Sequence, residues 1–265
     1  MRRGRWGPLV ALTGVLAVVL TACTGSPAPD GTVATASESF SRTATDSPGA
    51  SVVDVTPGPG ERLVGAGHVV LAIPVGWGTD RYRCAYTAVA DTVMFTGGPV
   101  DACELLTART YDSVALSYAN DWVKRPSDAH LTTVDGARAW VTDVACLDRR
   151  PAARGQVCRA EVYLPAEQAL VAVESGREAV VRSLVDQVTV ASDQVGVPSY
   201  AFVNSGLAEG RAARRYMAQL RGLGLVPLVD HVPGSVWPRG QVLAVSPRVG
   251  TVLRTGDTVR VSVAR

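Results

Sequence analysis

The sequence predicts an α+β protein, with a disulfide-braced antiparallel-sheet domain followed by a small α+β module. Three observations predict it. Short β-like runs recur between residues 67 and 174, and two of them flank Asp135-Gly136, the strongest short hairpin signal in the chain. A helical stripe of Val180, Val181, Leu184, Val185 and Val188 closes that region. The chain ends on Val259, Val261 and Val263 alternating with polar residues, which sets three valines on one sheet face.

The 265 residues allow one or two folded units at roughly 150 residues per domain. A composition 47% hydrophobic and 19% charged excludes a wholly disordered chain, a coiled coil and a collagen. Lys124 is the only lysine and Ile73 the only isoleucine, a bias of the kind GC-rich codon usage produces and no basis for a function. The net charge of +2 is too small to indicate nucleic acid, and it is a cancellation. Residues 197–265 hold nine arginines and three acids, a charge of +6, whereas residues 24–196 carry −7.

Taken in order, residues 1–22 read as a secretory leader. Arg2, Arg3 and Arg5 precede an apolar run from Pro8 to Leu20. Counted to Ala22 the run is 15 residues, short of the roughly 20 that span a bilayer. It ends in Leu20-Thr21-Ala22-Cys23, which resembles the lipobox of bacterial lipoproteins. The resemblance implies cleavage before Cys23 and diacylation of its thiol, hence a lipid anchor in the cell membrane with the chain on the extracytoplasmic side. An uncleaved spanning helix and cleavage that leaves Cys23 free are the alternatives.

Cys84, Cys103, Cys146 and Cys158 remain, and four cysteines in an exported domain read as two disulfides. Three pairings exist; sequence-local pairing gives Cys84–Cys103 and Cys146–Cys158, each worth about 3 kcal/mol by loop entropy. A zinc site would need Cys-x-x-Cys spacing or clustered histidines, and the sequence has neither, so no metal or cofactor is expected.

Residues 23–60 are dominated by Thr, Ser, Ala, Pro and Gly, with Val52-Val53-Asp54-Val55 as the only apolar cluster. Such a segment is expected to be a disordered tether, spanning on the order of 30–35 Å. Residues 61–192 form the extracytoplasmic α+β domain. Its strands are expected at Gly67–Ile73, Tyr82–Thr87, Thr92–Thr96, Leu131–Val134, Ala137–Leu147, Gln156–Leu164 and Gln168–Glu174. A short helix or turn is expected at Cys103–Ala108, and the closing helix at Arg177–Val188. Ile73-Pro74-Val75-Gly76-Trp77 and the closing helix resemble PsbP-like folds. The Trp77-Gly78-Thr79, Arg83-Cys84 and Asp91-Thr92-Val93 run is similar to a family of actinobacterial lipoproteins. Neither resemblance implies a mechanism.

Residues 197–265 resemble a PASTA domain, the module of wall-sensing kinases and penicillin-binding proteins. The resemblance rests on Val197-Pro198, a helix from about Leu207 to Gly222, and Gly224-Leu225-Val226-Pro227-Leu228. It continues through Pro238-Arg239-Gly240-Gln241-Val242, Ser246-Pro247-Arg248-Val249-Gly250-Thr251 and Thr255-Gly256-Asp257-Thr258-Val259. It departs from the family at Val245, where a polar residue is usual, and in the long entry Tyr200–Glu209. The resemblance implies affinity for peptidoglycan or a related anionic wall polymer. Arg211, Arg214 and Arg215, spaced i, i+3 and i+4, share a helix face and join Trp237 and Arg239 as candidate contacts.

No nucleophile–base arrangement is visible, because His68, His130 and His231 lie far apart and outside any nucleophile-elbow pattern. His68 is assigned to a strand, His130 and His231 to loops, and Trp77, Trp122 and Trp140 to the core. The expected function is a non-catalytic envelope protein that binds wall polymer. A regulatory or partner-binding envelope subunit is the alternative, ahead of a wall-targeted hydrolase.

Overall fold

The protein is described by a computed structural model over residues 54–83, 87–95, 111–120, 123–148, 156–204 and 210–265. The expectations for residues 1–22, Cys23, Cys84, Cys103 and Trp122, for a helix at 103–108 and for the tether up to residue 53 lie outside these residues.

Strands β1 (Glu61–Ala66) and β2 (Val69–Pro74) form an antiparallel hairpin whose turn holds His68, not the strand position expected. The short strands β3 (Gly78–Thr79), β4 (Tyr82–Arg83), β5 (Thr87–Ala88) and β6 (Thr92–Met94) lead to β7 (Ser113–Tyr118). Next come β8 (His130–Val134), β9 (Ala137–Val141), β10 (Ala145–Asp148), β11 (Gln156–Leu164) and β12 (Ala169–Ser175). Helix α1 (Glu178–Asp186) and β13 (Thr189–Val190) close this lobe. Asp135 and Gly136 both take positive φ (47° and 79°), as a two-residue hairpin turn between β8 and β9 requires.

The large sheet has the order β3-β6-β7-β12-β11-β9-β8, with β10 also beside β11. It is mixed, not purely antiparallel. β3–β6 and β6–β7 are parallel pairs, beside the antiparallel pairing of the rest of the sheet. Along β12 the buried residues Ala169, Val171, Val173 and Ser175 alternate with half-buried ones, so one face packs inward. α1 covers that face with Val181 and Leu184 buried, and the β1-β2-β13 sheet supplies Val64, Val69, Leu71 and Ile73. Cys146 and Cys158 face each other across β10–β11 and join in a disulfide of 2.05 Å, the sequence-local pairing.

The second lobe runs through β14 (Gln194–Gly196), α2 (Ala201–Asn204), α3 (Arg211–Gly222) and β15 (Val226–Val232). It finishes with β16 (Val242–Ser246), β17 (Val252–Arg254) and β18 (Thr258–Ala264). In the sheet β15-β18-β16 the first pair is parallel and the second antiparallel. Val259, Val261 and Val263 are buried as the alternation requires, against Tyr216 and Leu220 of α3. Gly224 (φ 76°) ends α3, with Leu225 N–H donating to Leu220 O and Gly224 N–H to Arg221 O.

The lobes have separate hydrophobic cores within one compact unit, and Tyr118 packs against both. Backbone joins them. Gly67 and Gly196 exchange hydrogen bonds of 3.0 and 2.8 Å, and Gly65 N–H donates to Gly250 O at 3.1 Å. Residues 54–60, assigned to the tether by composition, carry defined contacts. The buried Gln194 side chain accepts from Val55 N–H (2.8 Å) and donates to Val55 O (3.1 Å). A primary amide can do both at once, which composition does not disclose.

Candidate functional site

Helix α3 has the sequence RAARRYMAQLRG, rich in strong helix formers. Its apolar side buries Ala212, Ala213, Tyr216 and Leu220. At 100° per residue the opposite side collects Arg211, Arg214, Arg215 and Arg221, all exposed. No side chain caps the helix at Gly210. The turn Pro238–Gly240 does so through its backbone: Gly210 N–H donates to Arg239 O (3.0 Å) and Ala213 N–H to Gly240 O (3.0 Å). That cap brings Arg239, exposed, to the first turn of α3 beside Arg211. Trp237 stands 61% exposed in the same loop.

The two described acids of this lobe, Asp230 and Asp257, are committed elsewhere. Asp230 pairs with Arg260 (3.3 Å), and Asp257 accepts from the Arg254 backbone N–H (2.9 Å). Among the described residues no carboxylate pairs with Arg211, Arg214, Arg215, Arg221 or Arg239. The helix macrodipole opposes a cation in the first turn, so Arg211 does not stabilise α3 where it stands. Among the described residues the surface is a stripe of guanidinium groups without a carboxylate partner on a helix, suited to gripping oxyanions.

Other titratable clusters sit on the first lobe. A cavity of about 300 Å³ is lined by Asp128, Thr142, Asp143, Arg159, Glu161 and Glu174, with Arg159 paired to both glutamates. A neighbouring cavity of about 230 Å³ lies between α1 and the residues around His130. His130 Nδ1 is 3.9 Å from Asp143, and both side chains are exposed. Among the described residues no group of three His, Cys, Asp or Glu side chains is arranged to hold a metal ion.

Several placements correct the sequence reading. His130 and His231 lie in β8 and β15, not in loops. Trp77 packs half-buried on the first core as expected. Trp140 is no core residue: its ring lies on the outer face of β9, with Arg125 Cζ 4.4 Å and Arg138 Cζ 5.7 Å from its centroid. Sequence reasoning missed this stack. The Arg138-x-Trp140 spacing on one strand face was the available signal.

Burial pushes the Tyr216 hydroxyl pKa upward, with Tyr200 adding to the effect, while the group donates to Pro198 O at 2.8 Å. Burial, then the charge of Glu167, pushes Tyr118 up to about 12. Between the lobes, burial and the nearby Arg248 lower the pKa of Arg62.

No family model matches the chain, and no curated protein matches it. Among solved structures it is similar to penicillin-binding protein 2X from Streptococcus thermophilus, at 11% identity and a TM-score of 0.17. The match covers 49% of this chain and 22% of that one, so the chain spans about a fifth of that structure's length. A likeness at that score is below what a shared fold requires.

Proposed function

We propose that the chain is a membrane-anchored cell-envelope lipoprotein. Without catalysis, it binds peptidoglycan or a related anionic wall polymer through its PASTA-like C-terminal module. The observation that carries this reading is the stripe Arg211, Arg214, Arg215 and Arg221, extended by Arg239, a stripe that has no carboxylate partner among the described residues. From Arg211 to Arg221 the stripe runs about 15 Å along the helix, long enough to meet successive anions of a linear polymer. Planar guanidinium groups take carboxylate or phosphate oxygens two at a time, and the exposed Trp237 adds a flat apolar surface for a sugar face. Each contact is solvent-exposed and weak, so retention falls with salt, and a lipid anchor offsets the weakness by raising local concentration.

The test is co-sedimentation of the full chain with insoluble wall material, alongside the triple variant R211E/R214E/R215E. Wild-type protein sediments at low salt and is released as salt rises, and the variant stays in solution. Equal sedimentation of the two proteins overturns the reading.

A further inference from the structure

Among the described residues the outer edge of β8 is open. The two-residue turn makes Val134–Ala137 a hydrogen-bonded pair, and Thr132–Ala139 and His130–Val141 follow in the same register. Leu131 and Thr133 therefore direct their N–H and C=O groups away from β9. No strand pairs with that side, and neither residue makes a backbone hydrogen bond there among the described residues. Native proteins blunt such edges with proline, lysine, bulges or very short strands. β8 uses none of these: it is His-Leu-Thr-Thr-Val, five residues in unbroken register with β9. The other end of the sheet is the two-residue β3, and the edge strand β15 carries Pro227.

The two faces beside this edge differ. On the outer face Leu131, 52% exposed, sits opposite Trp140, whose ring carries the guanidinium groups of Arg125 and Arg138. Lys124, Arg125 and Arg138 are all exposed, and none has a carboxylate partner among the described residues. On the α1 side, His130 lines the cavity of about 230 Å³.

We propose that the β8 edge is a docking site for an extended acidic segment of a partner protein, which adds to the sheet as a ninth strand. Main-chain hydrogen bonds to Leu131 and Thr133 supply the attachment. Acidic side chains on the outer face of the added strand accept from Arg125 and Arg138, whose guanidinium planes the indole already holds, so little ordering remains to be done on binding. Charge favours an acidic occupant over a second copy of this chain, because two β8 edges paired about a two-fold axis would bring these cations onto one face. The site is independent of the arginine stripe on α3.

The test uses the full chain and synthetic seven-residue peptides in which Val and Thr alternate with Glu, or with Lys as the control. Fluorescence anisotropy reads binding, and amide hydrogen exchange reads protection at Leu131 and Thr133. The Glu peptide binds, the Lys peptide does not, and both amides gain protection. Thr133→Pro removes only an outward N–H, leaves the β8–β9 bonds intact and weakens binding by about tenfold or more. Should that variant fail to fold, N-methylation of the Glu peptide removes the same bonds from the ligand side, with the same expected loss. R125E/R138E reverses the preference toward the Lys peptide. Binding that survives both Thr133→Pro and N-methylation overturns the proposal. So does displacement by inorganic polyphosphate without amide protection, which marks a general anion surface, and so does a dimer joined through β8.

Discussion

Gly196 of β14 lies directly against Gly65 of β1. A Cβ on Gly196 would fall inside the contact radius of the Gly65 carbonyl carbon and oxygen and of the Ala66 nitrogen. All three obstacles are backbone atoms, which cannot swing aside as a side chain would. The lobes thus meet main chain to main chain, where ladder-type hydrogen bonds and van der Waals contact act together.

Gly196→Ala is therefore expected to destabilise the protein by about 3 kcal/mol or more, the range of severe overpacking. Gly234→Ala is the control. That glycine has φ 70° and nothing within 4 Å of its Cβ position, so only backbone strain is added, about 1 kcal/mol. Urea denaturation of both variants checks the contrast, and similar losses would refute the seam as a fixed contact.

Gln194→Ala removes the two-point bond to Val55 and is expected to cost about 1–2 kcal/mol. Gln194→Glu keeps the acceptor for the Val55 N–H but sets a second carboxylate oxygen against the Val55 carbonyl, so it does not rescue. Amide hydrogen exchange should show faster exchange at Val55 in both variants, with β15 and β18 unchanged.

Alkaline pH is expected to destabilise the fold through Tyr118. Its pKa stands at about 12 in the folded protein against the ordinary value of 10.0. Between these values the folded state holds a proton that the unfolded state has released. The contribution is complete below pH 10.0 and is lost as pH rises toward about 12. Tyr216, whose pKa is also raised, acts in the same sense. Tyr118→Phe should flatten the fall in stability over this window, as thermal unfolding at stepped pH would read.

Arg211→Glu separates binding from stability. A carboxylate in the first turn of α3 is favoured by the macrodipole, so the variant should gain about 0.5 kcal/mol while its retention on wall material falls. A loss of both together would mean that Arg211 supports the fold itself.

The legibility of the fold followed the range of the interactions. Asp135-Gly136, the valine alternation at 259, 261 and 263, and the α1 stripe are local patterns, and each lies where the sequence predicts it. The arginine face of α3 is local too, since i, i+3 and i+4 spacing is a property of any helix. What depends on distant partners stayed hidden. Parallel pairing of β3 with β6 and of β6 with β7 leaves no periodic signal in strands of two, three and six residues. Arg239 comes to the first turn of α3 only because a remote turn caps the helix. Arg125 meets Trp140 across a chain reversal, and Gly65 and Gly196 are two unremarkable glycines until the lobes close on them.

The reciprocal bond between Gln194 and Val55 has a mechanical meaning. A pull applied experimentally to the chain before Asp54 would meet the folded body at this point, through two hydrogen bonds and the 3.7 Å ion pair of Asp54 with Arg254. The strand that receives it, β14, is laddered to β17 on one side and bridged to Gly67 on the other. Such a pull would reach both lobes at their junction, through the β14–β17 ladder and the Gly67–Gly196 bridge.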